Sequence, residues 1–141
     1  MAIVIQRASR LKTIPTDQLF KRWIRAALDG EATLTLRVVN TAEARDLNRN
    51  FRGKDYATNV LTFVYHAPKS KTLEGDIVLC AQVVAREARE QGKALVDHYA
   101  HLTVHGVLHL AGFDHETVRE AKVMEAREVA ILARVGVEDP Y

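Results

Sequence analysis

A single cysteine, Cys80, in 141 residues has no partner for an internal disulfide, so nothing here calls for an oxidising compartment. Only 3 prolines and 7 glycines are present, which excludes collagen-like and low-complexity architectures. No apolar run approaches the roughly 18 residues that a membrane helix requires. The opening MAIVIQRASR has too short an apolar stretch for a secretory signal and reads as a strand. Neither sign of charge dominates, the formal net charge being +2. A cytoplasmic protein with no membrane association is the expectation.

What is present is ordinary globular material, 48% apolar and 27% charged. The length suits one domain over residues 1–141, large enough to bury about two-thirds of its unfolded surface without a staple. Charge is uneven along it. Residues 1–60 hold 11 basic against 6 acidic side chains, and residues 61–141 hold 9 against 12. That asymmetry permits a basic face for a polyanion without requiring one.

Hydrophobic periodicity predicts a strand around Ile3 and Ile5. A helix then opens at Pro15 and Thr16, carries Leu19, Phe20, Trp23, Ile24, Ala27 and Leu28, and stops at Gly30. In TLTLRVV, Leu34, Leu36 and Val38 alternate with Thr33, Thr35 and Arg37, as a strand requires. Thr41 is the expected cap of a second helix with Ala44, Leu47 and Phe51 on its apolar face. RGKDYATN (52–59) reads as a loop, VLTFVY as a strand, HAPKSKTLEG as a loop and DIVLC as a strand. Three helices follow: one stopping at Gly92, one from about Val96 to Ala111, and one from about Glu116 to Val135. In the last, Val118, Ala121, Met124, Ile131, Leu132 and Val135 are expected to face a core. The order predicts an α/β sandwich, a mixed four-stranded sheet with about five helices.

Five of the six histidines lie within residues 98–115. A lone histidine on an apolar helix face is usually a hydrogen-bonded core residue, but HGVLHLAGFDH carries more than that. His105 and His109, four apart on a helix, point imidazoles the same way. Gly112 can reverse the chain in a left-handed turn and bring His115 back to them. Three imidazoles leave a fourth position open for water, the pattern of a catalytic zinc site. His98 and His101 lie too early on the helix to share that ion and belong beside the site or on the surface.

The spacing is that of the zincin-like metzincin motif H-E-x-x-H-x-x-G-x-x-H, with one change. Gly106 stands where those peptidases carry the glutamate that shuttles a proton to the leaving amine, which disfavours amide cleavage. Asp114 or Glu116 could supply a base, although nothing in their spacing shows it. Cys80 reads as a small buried hydrophobe; as a fourth zinc ligand it would close the site.

HGVLHLAGFDH, together with FRGKDYATNVLTF (51–63), EGDIVLCAQVV (74–84) and the terminal GVEDPY, closely resembles the YbeY family of bacterial metal-dependent endoribonucleases. The resemblance implies one zinc per chain, held by His105, His109 and His115. It also implies a single-strand-specific endoribonuclease that acts in late ribosome quality control and in maturation of the 3′ end of 16S ribosomal RNA. Its partners would be ribosomal RNA, the small ribosomal subunit and possible ribosome-associated proteins. The family's functional arginine falls on Arg52, in a loop that taken alone reads as an ordinary solvated turn. Arg52 and His105 are thus the catalytic candidates. Arg52, as a bidentate fork, and Lys54, as added positive charge, are the candidates for binding substrate. A non-catalytic assembly protein with a structural zinc is the competing reading, disfavoured because structural zinc sites are normally closed by four ligands.

Overall fold

A computed structural model describes all residues, 1–141. The chain runs β1 (Ala2–Arg7), α1 (Asp17–Ala27), β2 (Ala32–Val39), α2 (Thr41–Arg52), β3 (Val60–Val64), β4 (Leu73–Cys80), α3 (Ala81–Gln91), α4 (Leu95–Leu110) and α5 (Val118–Arg134). The strands form one mixed sheet in the order β1-β2-β4-β3, with β3 the single antiparallel member. This is the predicted four-stranded, five-helix α/β architecture. No helix is long and apolar enough to cross a membrane.

Alternation in the strands assigns the two sheet faces. Leu34, Leu36, Val38, Ile77 and Leu79 point into the larger core, shared with Phe20, Trp23 and Ile24 of α1, with α4 and with α5. Val39, Val78 and Cys80 point the other way into a smaller core with Ala44 of α2 and Val83 of α3. Cys80 is buried, as expected of a small hydrophobe.

Helix α4 is enclosed on most sides. Ala100, Leu102, Val104, Val107, Leu108 and Leu110 are all buried, and beyond the first turn only the stripe carrying His101, His105 and His109 reaches a surface. Two glycines bring this helix and the sheet together. A Cβ on Gly106 would sit 3.0 Å from Ile77 Cγ2, and one on Gly75 would sit 2.5 Å from the Phe63 carbonyl oxygen and 2.9 Å from Leu110 Cδ2.

Several boundaries differ from expectation. LEG (73–75) belongs to β4 rather than to a loop, because Leu73, Glu74 and Gly75 pair with Ala32, Thr33 and Leu34 of β2 and Gly75 also with Val64 of β3. Helix α1 is already closed at Leu28, two residues before Gly30, and Asn40 rather than Thr41 occupies the cap of α2. The Thr41 hydroxyl instead donates to Gln82 Oε1 at 3.4 Å. Helix α5 begins at Val118, capped by the Thr117 hydroxyl, and Val118 is 75% exposed rather than core-facing. Phe51, also expected in the core, is 66% exposed on the last turn of α2.

Candidate active site

The second half of α4 and the turn after it bring three histidines together. After Leu110 the amide of Phe113 returns to Leu108 O at 3.0 Å and that of Gly112 to His109 O at 3.1 Å. Gly112 takes φ +99°, a conformation that L side chains rarely adopt, and the chain reverses. His115 then faces the helix: its ring centroid lies 5.4 Å from that of His105 and 6.0 Å from that of His109, while His105 and His109 are 6.2 Å apart. The rings form a nearly equilateral triangle.

Glu128 of α5 holds one corner of it. Its side chain is fully buried and acidic, and a carboxylate can only accept. His105 therefore donates from Nδ1 to Oε1 at 2.7 Å, which leaves Nε2 with its lone pair free. His101 donates from Nε2 to Oε2 at 2.8 Å, and the Tyr141 hydroxyl donates to the same oxygen. Burial alone would raise the Glu128 pKa, but the bonds from His101, His105 and Tyr141 outweigh it and bring it down to about 2. Burial, and then the neighbouring His105, lowers the pKa of His109 and keeps that ring neutral, as a metal ligand must be.

His109, Asp114 and His115 bring three possible ligand atoms within 4.8 Å of one another. This group omits His105 and admits a carboxylate. Asp114 is already engaged, its Oδ1 accepting the His115 amide at 2.8 Å, whereas His105 presents an oriented and free Nε2. Three imidazoles with a nearby carboxylate suit a borderline cation of the zinc class. Gly106 faces Ile77 of the sheet and not this cluster, so the position that carries the peptidase glutamate has no access to the rings here.

Opposite the histidines stands a second wall, made by the end of α2 and residues 52–59. Gly53, at φ +70°, closes α2 and leaves Arg52 as its last residue. The Arg52 guanidinium donates to Thr62 O of β3 at 2.7 Å and keeps its other N–H groups for a ligand. The loop is pinned from beneath by Asn48, which is 2% exposed and donates to Tyr56 O at 2.8 Å. Asp55 is taken up in a paired contact with Arg45, at 2.8 and 3.0 Å. Lys54 is exposed and has no ion pair. Arg52, Lys54, Asn48, Tyr56 and Thr58 face His105, His109 and His115 across one cleft of about 480 Å³.

That cleft is open on two sides. A groove of about 660 Å³ shares Arg52, Thr62 and His109 with it, and another of about 440 Å³ shares His105 and His115. The walls are tied together at one end through Asn59, whose amide donates to Glu87 Oε1 at 3.1 Å, while His98 Nε2 meets the same oxygen at 3.0 Å. His98 is thus buried on the inner side of α4, and His101 lies beneath the triad against Glu128. Glu128, Glu87 and Asn48 had no signal in the sequence, because each acts across a contact between separate elements.

The family profile described as Endoribonuclease YbeY matches residues 4–136. A curated Endoribonuclease YbeY from Aromatoleum aromaticum is 56% identical over 145 residues, covering 100% of this chain and 92% of the relative. Another from Thiobacillus denitrificans is 50% identical over 141 residues, covering 100% and 96%. The solution structure of a Thermotoga maritima protein superposes with TM-score 0.57 over 94% of this chain and 91% of that one; at 23% identity it bears on the fold alone. The profile match over most of the chain and the full-length likeness to these relatives lead to one conclusion: the chain belongs to the YbeY endoribonuclease family.

Proposed function

We propose that the cleft is the active site of a metal-dependent endoribonuclease that cuts unpaired RNA, with small-subunit ribosomal RNA as its substrate. The observation that carries this reading is the meeting of three imidazoles and one arginine across a single open cleft. His105, His109 and His115 would hold one zinc ion per chain. When bound, the metal supplies Lewis acidity toward a phosphoryl oxygen.

The chain's own residues do the rest. Arg52 places a planar, permanently charged fork opposite the histidines, where it grips the scissile phosphate and stabilises charge that develops on its oxygens. Its anchor on Thr62 O fixes the side chain in advance. Lys54 attracts the backbone as a point charge. Asp114, whose carboxylate lies within 4.8 Å of His109 and His115, is placed to accept a proton from the attacking oxygen.

A cavity of about 480 Å³ has the size of a small-molecule site, so it takes about one nucleotide of an unpaired strand and not a duplex. The grooves on either side allow the strand to continue in both directions, as an internal cut requires. The finer role is maturation of the 16S ribosomal RNA 3′ end and late quality control of the ribosome in the cytoplasm, with ribosome-associated proteins as partners. The test is incubation of zinc-loaded protein with precursor ribosomal RNA, free and within ribosomes, beside His109→Ala. Cleavage near the 3′ end by the wild type alone is expected. Zinc-loaded protein that binds ribosomes and cuts nothing would replace this reading with that of an assembly factor.

A further inference from the structure

The GVEDPY segment was conspicuous in the sequence, yet it takes no part in the cleft just described. Its course explains where it goes. Gly136, at φ +80°, turns the chain after α5, the amide of Val137 returns to Leu132 O at 2.9 Å, and the Val137 side chain joins the core. Tyr141 is then carried back over α4. Its ring packs edge-on against His101 at 5.3 Å, and its hydroxyl donates to Glu128 Oε2.

We propose that Glu128 and Tyr141 are positioning residues for the metal centre. Glu128 fixes His105 as the Nδ1–H tautomer with Nε2 toward the cleft, and Tyr141 fixes Glu128. This rests on reading the histidine triangle as the metal site.

Three observations carry it. Glu128 is fully buried within the helical layer, where an apolar side chain would pack without the cost of desolvating a charge. Its two oxygens are divided: Oε1 serves His105 alone, while Oε2 collects His101 and Tyr141. The carboxylate is thus held from one side and presented to the ligand on the other. Finally, His101 Nδ1 is buried without a partner, so all the hydrogen bonding of that ring runs through Nε2, to Glu128 and to the Tyr141 hydroxyl at 3.2 Å. A ligand imidazole whose second nitrogen binds a carboxylate is fixed in tautomer and made more basic, and loss of such a partner typically lowers metal affinity about 10–100-fold.

The experiment uses the full chain, with ¹⁵N-labelled histidine, stripped of metal and then titrated with zinc against a competing chelator. Long-range ¹H–¹⁵N spectra of the metal-free wild type should show His105 protonated at Nδ1. Glu128→Gln should give a mixed tautomer and a zinc affinity about 10–100-fold weaker. Tyr141→Phe, which removes one hydroxyl at the rim, keeps the fold and should weaken zinc by a smaller factor. A purely structural role predicts lower melting temperatures with unchanged tautomer and unchanged affinity, and that result overturns the proposal. So does a wild-type His105 protonated at Nε2, whatever becomes of the Glu128 variant. Wild-type protein that takes up no zinc overturns the metal reading instead, because the tautomer of the metal-free chain is read independently of it.

Discussion

The two walls of the cleft are built on opposite principles. The histidine wall is the half-buried stripe of a helix that is enclosed beyond its first turn, braced from behind by a buried carboxylate. The arginine wall is the glycine-capped end of an amphipathic helix and a seven-residue loop, largely exposed and held by side-chain bonds from Arg45, Asn48, Arg52 and Asn59 rather than by a packed core. A metal site needs donors whose tautomer and direction are fixed by second partners, whereas a phosphate needs a charged fork already aimed at it, which the bond from Arg52 to Thr62 O supplies. The difference between the walls matches the difference between those ligands.

Separate substitutions should divide the walls cleanly. The largest effect belongs to the histidine wall: alanine at His105, His109 or His115 should strip most of the metal and abolish cleavage. Elemental analysis of the purified variants would show this, with His98→Ala keeping near-normal occupancy because its ring lies on the inner side of α4. Equal metal loss in the His98 variant would mean a different ligand set.

Next comes the opposite wall. Arg52→Ala should retain full metal occupancy and near-normal stability, yet lose cleavage by about 10²–10³, the range for one preorganised electrostatic group. Arg52→Lys should recover part of that, since a point charge does not replace a fork. Single-turnover kinetics at matched zinc content decide it, and wild-type rates in the alanine variant would remove Arg52 from the mechanism.

A third substitution loosens the support beneath the histidine wall without touching it. Gly75→Ala places a Cβ against the Phe63 carbonyl and Leu110, and should cost about 1–3 kcal/mol of stability by overpacking. Denaturant titration checks this; an unchanged midpoint would show that both the Phe63 carbonyl of β3 and Leu110 of α4 can give way.

The tie between the walls is sensitive to pH. Burial holds the His98 pKa below its usual value of 6.5, against the opposing pull of Glu87. The unfolded chain therefore takes up this proton at a higher pH than the folded one. The stability that His98 contributes is present above about 6.5 and is lost as pH falls toward the depressed folded value, at no more than about 1.4 kcal/mol per pH unit for one proton. Melting temperatures of the wild type should drop between pH 7.5 and pH 5.5, and those of His98→Ala should drop less. The smallest effect is that of Lys54→Ala, a few-fold loss of RNA binding with the salt dependence of affinity reduced by about one counterion.

Much of this molecule is local. The strand alternation in TLTLRVV, the Thr16 cap and the Gly92 stop each depend on a few consecutive residues, and so were legible in the chain. The convergence of His105, His109 and His115 belongs to the same class, since it needs only a helical period and one glycine able to adopt φ +99°. Arg52 was different. Nothing local separates it from the other arginines of α2, and it was singled out by resemblance alone.

What the sequence determined by itself was therefore the elements, their order and the histidine triangle, because backbone periodicity and turn chemistry act over a handful of residues. What only the tertiary structure decided was everything that crosses between elements. Glu128 reaches His105 because α5 packs on α4, and Asn59 and His98 meet on Glu87 because α3 lies between the two walls. Gly75 and Gly106 owe their roles to the close approach of α4 to the sheet, which no turn signal announces. A buried carboxylate is costly unless its partners are already in place, and those partners are assembled only when the helices pack.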